Sequence, residues 1–388
     1  MYDFDKLTER RNTGSLKWDV TERELPMWVA DMDFETAPEI REAISERASH
    51  GIFGYNIVTE DWYDAYIGWW SRRHHITFER DWLIFCTGVV PAISSAVRKL
   101  TTVGENVLVQ TPVYNIFFNS IRNNGRNILE SPLVYDGREY HIDFADLEKK
   151  LSDPQTTLML LCNPHNPVGK IWNRETLEKI GELCAKHHVL VLSDEIHCDM
   201  TDPGYEYIPF ASVSETCREN SITCIAPTKT FSIPGIQTAA VMVPNPVIRH
   251  KLNRGLNTDE VAEPNSFAVC AAVAAFEKGE PWLEELRQYL ADNKQLVRDF
   301  VERELPAICV VPSHATYLLW LDCGYVTHNA TELVHFIREH SGLYLTEGEE
   351  YGKPGKKFIR LNTACPRARL EEGLNRLRDS VRAYAEKR

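Results

Sequence analysis

The 388-residue sequence has no run approaching the roughly 20 consecutive apolar residues of a membrane span, so no transmembrane helix is expected. It has no Cys-x-x-Cys pair: ten cysteines are scattered from Cys86 to Cys365. That spacing argues against structural zinc, and the density is too low for a disulfide scaffold. Positive charge is in deficit, with 43 Lys and Arg against 56 Asp and Glu and a net charge of −13. A nucleic-acid binder needs the opposite balance. Neither G-x-G-x-x-G nor G-x-x-x-x-G-K-[ST] occurs, nor does any internal repeat or low-complexity linker. The opening Met1-Tyr2-Asp3-Phe4-Asp5 lacks the basic-then-apolar pattern of a signal peptide. The expectation is a cytoplasmic protein with reduced, mostly buried cysteines, no metal, and neither nucleic acid nor membrane as partner.

What is present is an ordinary globular composition, 43% hydrophobic and 26% charged, in a chain long enough for two or three domains. Short apolar runs at residues 83–86, 107–109, 158–162, 189–192, 222–225 and 239–243 alternate with helical patterns. Such runs predict strands of a mostly parallel sheet covered on both faces. Leu177, Ile180, Leu183 and Cys184 form one helical face after the cap residue Asn173. Later, residues 317–321 and 358–361 read as strands, and residues 282–301 as a long bridging helix. Leu370, Leu374, Leu377, Val381 and Tyr384 read as an amphipathic closing helix. The expected architecture is α/β: a large domain over residues 45–280, and a smaller α+β domain from 1–44 and 281–388.

Chemistry-bearing residues follow the predicted strands. Gly88 comes just after 83–86, Asn163 to Asn166 after 158–162, Asp194 after 189–192, and Lys229 after 222–225. In open α/β sheets ligands bind at the carboxyl ends of the strands. A lysine, an acid, an asparagine and a glycine turn on one rim suit pyridoxal phosphate. The lysine forms the Schiff base, the acid pairs with the pyridinium nitrogen and backbone amides hold the phosphate. An imine-forming lysine must be neutral when it attacks, which desolvation or nearby positive charge favours. Thr228, Thr230 and Ser232 flank Lys229 with hydroxyls suited to phosphate. Thr87-Gly88-Val89-Val90-Pro91 leads into a helix with Pro91 expected at its first position, where free amides attract an anion. Asn163-Pro164-His165-Asn166-Pro167-Val168-Gly169 reads either as a simply rigid turn or as one from which Asn166 donates to the cofactor's phenolate oxygen. Tyr114 follows residues 107–109 and either stacks on the ring or packs in the core. Arg360 shares a strand face with Phe358 and Asn362, as either a snorkelling surface residue or a fork for a substrate carboxylate.

With these residues placed, the chain resembles fold-type I pyridoxal-phosphate enzymes of the class I/II aminotransferase superfamily. It is most similar to the cystathionine β-lyase (C-S lyase) group called MalY/PatB-type. The motifs that carry the resemblance span nearly the whole chain: residues 25–34, 51–55, 163–169, 193–197, 226–231 and 358–367. The resemblance implies an aspartate-aminotransferase fold and a carbon–sulfur β-lyase acting on L-cystathionine or related S-substituted L-cysteines. The alternatives are an aminotransferase, or a pyridoxal-phosphate protein with a mainly regulatory binding role. It also implies Lys229 as catalytic residue and cofactor link, Asp194 at the pyridinium, Asn166 at the phenolate oxygen and Tyr114 over the ring. Gly88, Val89, Val90 and Thr228 are implied for the phosphate and His197 for the cofactor. Arg360, with Asn166 and Tyr114, is implied for the amino-acid substrate. Tyr55 is implied to reach the phosphate of a neighbouring subunit, which makes the partner a second copy in a homodimer with shared active sites. Three departures from the wider superfamily tilt the resemblance toward the lyase branch. Ala226 stands where many aminotransferases carry a phosphate-binding serine, Gln237 where many carry an arginine, and His197 where a tyrosine is common.

Overall fold

The computed structural model describes residues 2–387. The outermost residues of the two expected terminal spans, Met1 and Arg388, lie outside the described residues.

Seven strands form the main sheet: β1 (Leu83–Cys86), β2 (Asn106–Val109), β3 (Asn127–Glu130), β4 (Thr156–Cys162), β5 (Leu190–Asp194), β6 (Ser221–Ile225) and β7 (Ala239–Met242). Their order is β1-β7-β6-β5-β4-β2-β3. β2 to β6 pair in parallel, and β7 is antiparallel to both β1 and β6. Two reversals restore direction, so β1 points the same way as β6. The carboxyl ends of β1, β2, β4, β5 and β6 therefore open on one rim. Register is tight there, with Cys162 opposite Asp194 and Asp194 opposite Cys224.

The six apolar runs all form strands, because helices cover both faces and strand positions on either side must be apolar. β3 has no such run. It is an edge strand whose residues are exposed or half-buried, so its sequence carries little burial signal. Asn173 caps the helix Arg174–Lys186, its side chain accepting from the Thr176 N–H. The helix after β1 is Val89–Leu100, with Gly88 at the cap and Pro91 at the third helical position rather than the first.

A second, antiparallel sheet has the order Cys309–Val310, Leu318–Asp322, Phe358–Asn362, Thr346–Glu347. Ile359 and Leu361 pack against Leu370, Leu374 and Leu377 of the closing helix Arg367–Glu386. Arg360 and Asn362 face the other way, as the period of two requires. The N-terminal segment bridges the two regions. Trp18, Leu25 and Met27 join the core of this sheet, whereas Phe4, Met32, Phe34 and Ile40 pack with residues 62–78 and 268–290. Helix Glu60–His74 buries Trp62, Tyr66, Trp69 and Trp70, positions i, i+4, i+7 and i+8 on one face.

Candidate active site

On the rim of the main sheet a cavity of about 320 Å³ is lined by Gly88, Val89, Val90, Tyr114, Asn166, Asp194, His197, Thr228 and Lys229. Nine residues singled out along the sequence thus meet in one space. Arg360 borders it, its Nη1 donating to Asn166 Oδ1 at 3.5 Å. Tyr55 does not line its own chain's cavity and is fully exposed.

Each loop has a local reason for its course. The first amides of the Val89–Leu100 helix have no partner within the helix, so Val89 and Val90 offer N–H groups to an anion. The 163–169 turn ends on Gly169 at φ +67°, where a Cβ would stand 2.0 Å from Ser313 Oγ and 2.7 Å from Ala315 O. Glycine is required there, and the Gly169 carbonyl in turn accepts from the His314 and Ala315 N–H groups. That packing fixes Asn166 against Arg360.

The charged groups of the cavity are incompletely paired. Asp194 is buried, accepts from the Ile196 N–H at 3.1 Å, and is pushed up to about 6, chiefly by burial. A carboxylate in that state gains from a cationic partner. Burial, then the Arg360 charge, brings the Lys229 amine down to about 8, with Asp31 and Asp194 pulling the other way. Lys229 Nζ donates to the Ala30 carbonyl. His197 is buried with no hydrogen bond at Nδ1, and burial followed by the charges of Lys229 and Arg360 lowers it to about 3, so its ring is neutral. Burial first, and then the Asp194 charge, pushes the Tyr114 hydroxyl up to about 12.

Arg360 is buried, which decides between its two sequence readings. Its Nη2 donates to the Trp28 carbonyl at 2.7 Å, its guanidinium lies 4.9 Å over the Tyr351 ring, and its Nε has no partner. Among the described residues no carboxylate forms an ion pair with it. A buried guanidinium without a carboxylate is open to an anionic ligand.

Sequence reasoning brings the N-terminal segment around Met27 and Trp28 to the substrate but does not give the geometry of the wall that it forms. The carbonyls of residues 28–32 are each held by a side chain. Thr346 joins Arg360 at Trp28 O, and Asn362 Nδ2 holds Val29 O at 2.6 Å and Asp31 O at 2.7 Å. The Tyr317 hydroxyl shares Ala30 O with Lys229, and Arg10 takes Met32 O. Groups acting through the main chain leave no residue-type signal. Thr87, Pro91, Cys162, Ile196, Pro234 and Gln237 complete the lining with Ala30. Of the hydroxyls flanking Lys229, only Thr228 faces the cavity. Thr230 donates to Asp199, and Ser232 contacts Met32. The arrangement can hold a flat ligand with an anionic group at residues 88–90, a cationic nitrogen at Asp194, and an electrophilic carbon at the Lys229 amine.

The family model for aminotransferase class I and II matches residues 25–377. The chain is 44% identical to cystathionine β-lyase PatB of Bacillus subtilis, over 98% of this chain and 100% of that protein. It is 34% identical to the protein MalY of Escherichia coli, over 99% of this chain and 100% of that one. Among solved structures, the pyridoxal-phosphate-bound C-S lyase of Staphylococcus hominis superimposes with a TM-score of 0.92 at 31% identity, covering 98% of both chains.

Proposed function

This chain belongs to the class I and II aminotransferase family, and from that premise we propose that it is a pyridoxal-phosphate-dependent carbon–sulfur β-lyase. Its substrate is L-cystathionine or a related S-substituted L-cysteine, converted with one water into a thiol, pyruvate and ammonia. The observation that carries the reading is the pairing of a low-pKa Lys229 amine with a buried Arg360 that has no carboxylate of its own. The full-length likeness to a protein named cystathionine β-lyase selects elimination over transamination.

The residues present fit pyridoxal phosphate. Among the described residues Asp194 forms no ion pair, only the Lys229 charge acting on it from a distance, and the Val89 and Val90 amides stand at a helix start. When bound, the cofactor supplies an aldehyde for the substrate amine and a ring that accepts electrons from Cα. Gly88, Val89, Val90 and Thr228 would hold the phosphate, and Asp194 would keep the ring nitrogen protonated. Asn166 would donate to the ring oxygen, and Tyr114 and neutral His197 would contact the ring from the same cavity. Arg360, with Asn166 and Tyr114, orients the substrate so that its Cα hydrogen faces Lys229. The Lys229 amine removes that proton and a thiolate leaves from Cβ. Incubation with L-cystathionine and no keto acid tests the reading. Pyruvate and homocysteine in equal amounts are expected, and absence of both would favour the transaminase.

The proposed partner is a second copy of the chain. Ile52, Phe53, Tyr55 and Ile57 are all exposed, an apolar strip that a like subunit would cover while Tyr55 enters its phosphate site. Sedimentation of the protein should give twice the chain mass, and Tyr55→Phe should weaken cofactor binding by about tenfold. A monomer that binds the cofactor with full affinity would remove this partner. The division into residues 45–280 and 1–44 with 281–388 is supported by the packing of Trp18, Leu25 and Met27 on the second sheet, whereas Phe4, Met32, Phe34 and Ile40 pack with the larger region. A cytoplasmic setting is supported by ten free cysteines, eight of them buried. No helix among the described residues is long and apolar enough to cross a membrane.

A further inference from the structure

Asp199 lies five residues beyond Asp194 on the segment that also carries His197, and no role above uses it. Its carboxylate is buried and surrounded by donors from two parts of the chain. Trp69 Nε1 donates at 3.1 Å and His74 Nε2 at 2.8 Å, and Arg73 Nε lies 3.5 Å away, all from helix Glu60–His74. The Thr230 hydroxyl donates at 3.0 Å. Despite burial, these partners hold the carboxyl below its ordinary range, so it is a true buried anion.

His74, Cys198 and Asp199 place a nitrogen, a sulfur and an oxygen within 4.8 Å of one another. A metal ion is a poor account of this cluster. Asp199 already has its full set of donors, Arg73 supplies the positive charge, and burial raises the Cys198 thiol well above its ordinary value.

Burying an anion carries a desolvation penalty of several kcal/mol, about what its partners recover. An apolar contact would tie two elements together at lower cost, and one is already present. Phe231 packs on Trp69 and Trp282 with ring centroids 5.9 Å apart in each case. What the anion adds is direction. Thr230 is the residue between that aromatic anchor and Lys229, and its hydroxyl is fixed by Asp199.

We propose that Asp199 is a positioning residue for Lys229, fixing through the Thr230 hydroxyl the main chain from which the amine enters the cavity. The inference rests on Lys229 being the reactive amine proposed above. Four groups from three parts of the chain face that amine: Asp31 from the N-terminal segment, Asp194 at the end of β5 with His197 just beyond it, and Arg360 from the second sheet. Their influence depends on where the amine sits.

The test uses Thr230→Val, which keeps the shape and removes the hydroxyl, and Thr230→Ser, which keeps the hydroxyl. In cofactor-free protein, the pH dependence of Lys229 acylation by acetic anhydride is followed by peptide mass spectrometry. The wild-type midpoint is expected near 8. In Thr230→Val the amine relaxes toward solvent and the midpoint rises by about one unit. In the loaded enzyme kcat falls roughly ten- to a hundredfold while KM stays within about twofold. Thr230→Ser restores both values. Asp199→Asn lowers kcat as well, and the double variant lowers it no further. If Thr230→Val lowers only the melting temperature, leaving midpoint and kcat at wild type, the positioning role is overturned while the Lys229 reading stands. A wild-type midpoint of an ordinary exposed lysine would instead overturn the reading beneath it.

Discussion

Lys229→Ala is expected to abolish cystathionine cleavage, lowering kcat by roughly 10⁴-fold or more, because this one amine is proposed as both cofactor anchor and base. The fold should survive. Lys229 makes one hydrogen bond, to the Ala30 carbonyl, and that carbonyl keeps Tyr317 as a donor at 3.0 Å. Circular dichroism and a thermal melt should therefore match the wild type while pyruvate formation disappears. Turnover near the wild-type rate would show that the base lies elsewhere.

Asp194→Asn is expected to lower kcat by roughly 10²- to 10³-fold, the usual scale for removing one preorganised electrostatic partner of the reacting centre. Its effect on stability should have the opposite sign. Burial raises the Asp194 carboxyl from 3.8 to about 6, so the folded cofactor-free protein favours the protonated form. That contribution is present below about pH 4 and is lost as pH rises through about 6. Near neutral pH, cofactor-free Asp194→Asn should then be the more stable protein by about 2–3 kcal/mol, and the gap should close in acid. Parallel denaturant titrations at several pH values measure this. A variant less stable at every pH would contradict the buried, cation-seeking carboxylate.

The legible part of the molecule was what burial writes into residue type. Strands β1, β2, β4, β5, β6 and β7 are apolar because both sheet faces are covered, and the candidate residues that line the cavity follow from counting forward from the ends of these strands. β3 left no trace because its residues are exposed or half-buried, unlike those of β1 at the opposite edge. The reversal at β7 was also invisible, since an apolar run has the same composition in either direction. Because β7 is reversed against both neighbours, Gly88 still falls on the same rim as Lys229. Arg360 was found with two readings open, and only its burial chose between them.

Side-chain direction was the harder part. Thr228, Thr230 and Ser232 are equivalent as letters, but only the first faces the cavity. The wall at residues 28–32 works through carbonyl oxygens that every amino acid carries. Asn362, which clamps two of them, was placed on the correct face of its strand without its partners being visible. Pro91 was assigned one turn position and occupies another, because the helix begins at Val89 rather than at the proline.

The most direct test of the central claim is borohydride reduction of the protein loaded with pyridoxal phosphate, followed by peptide mapping. The account predicts a single stable adduct of cofactor mass, on the peptide containing Lys229 and absent from Lys229→Ala. An adduct on another lysine, or none at all, would contradict it.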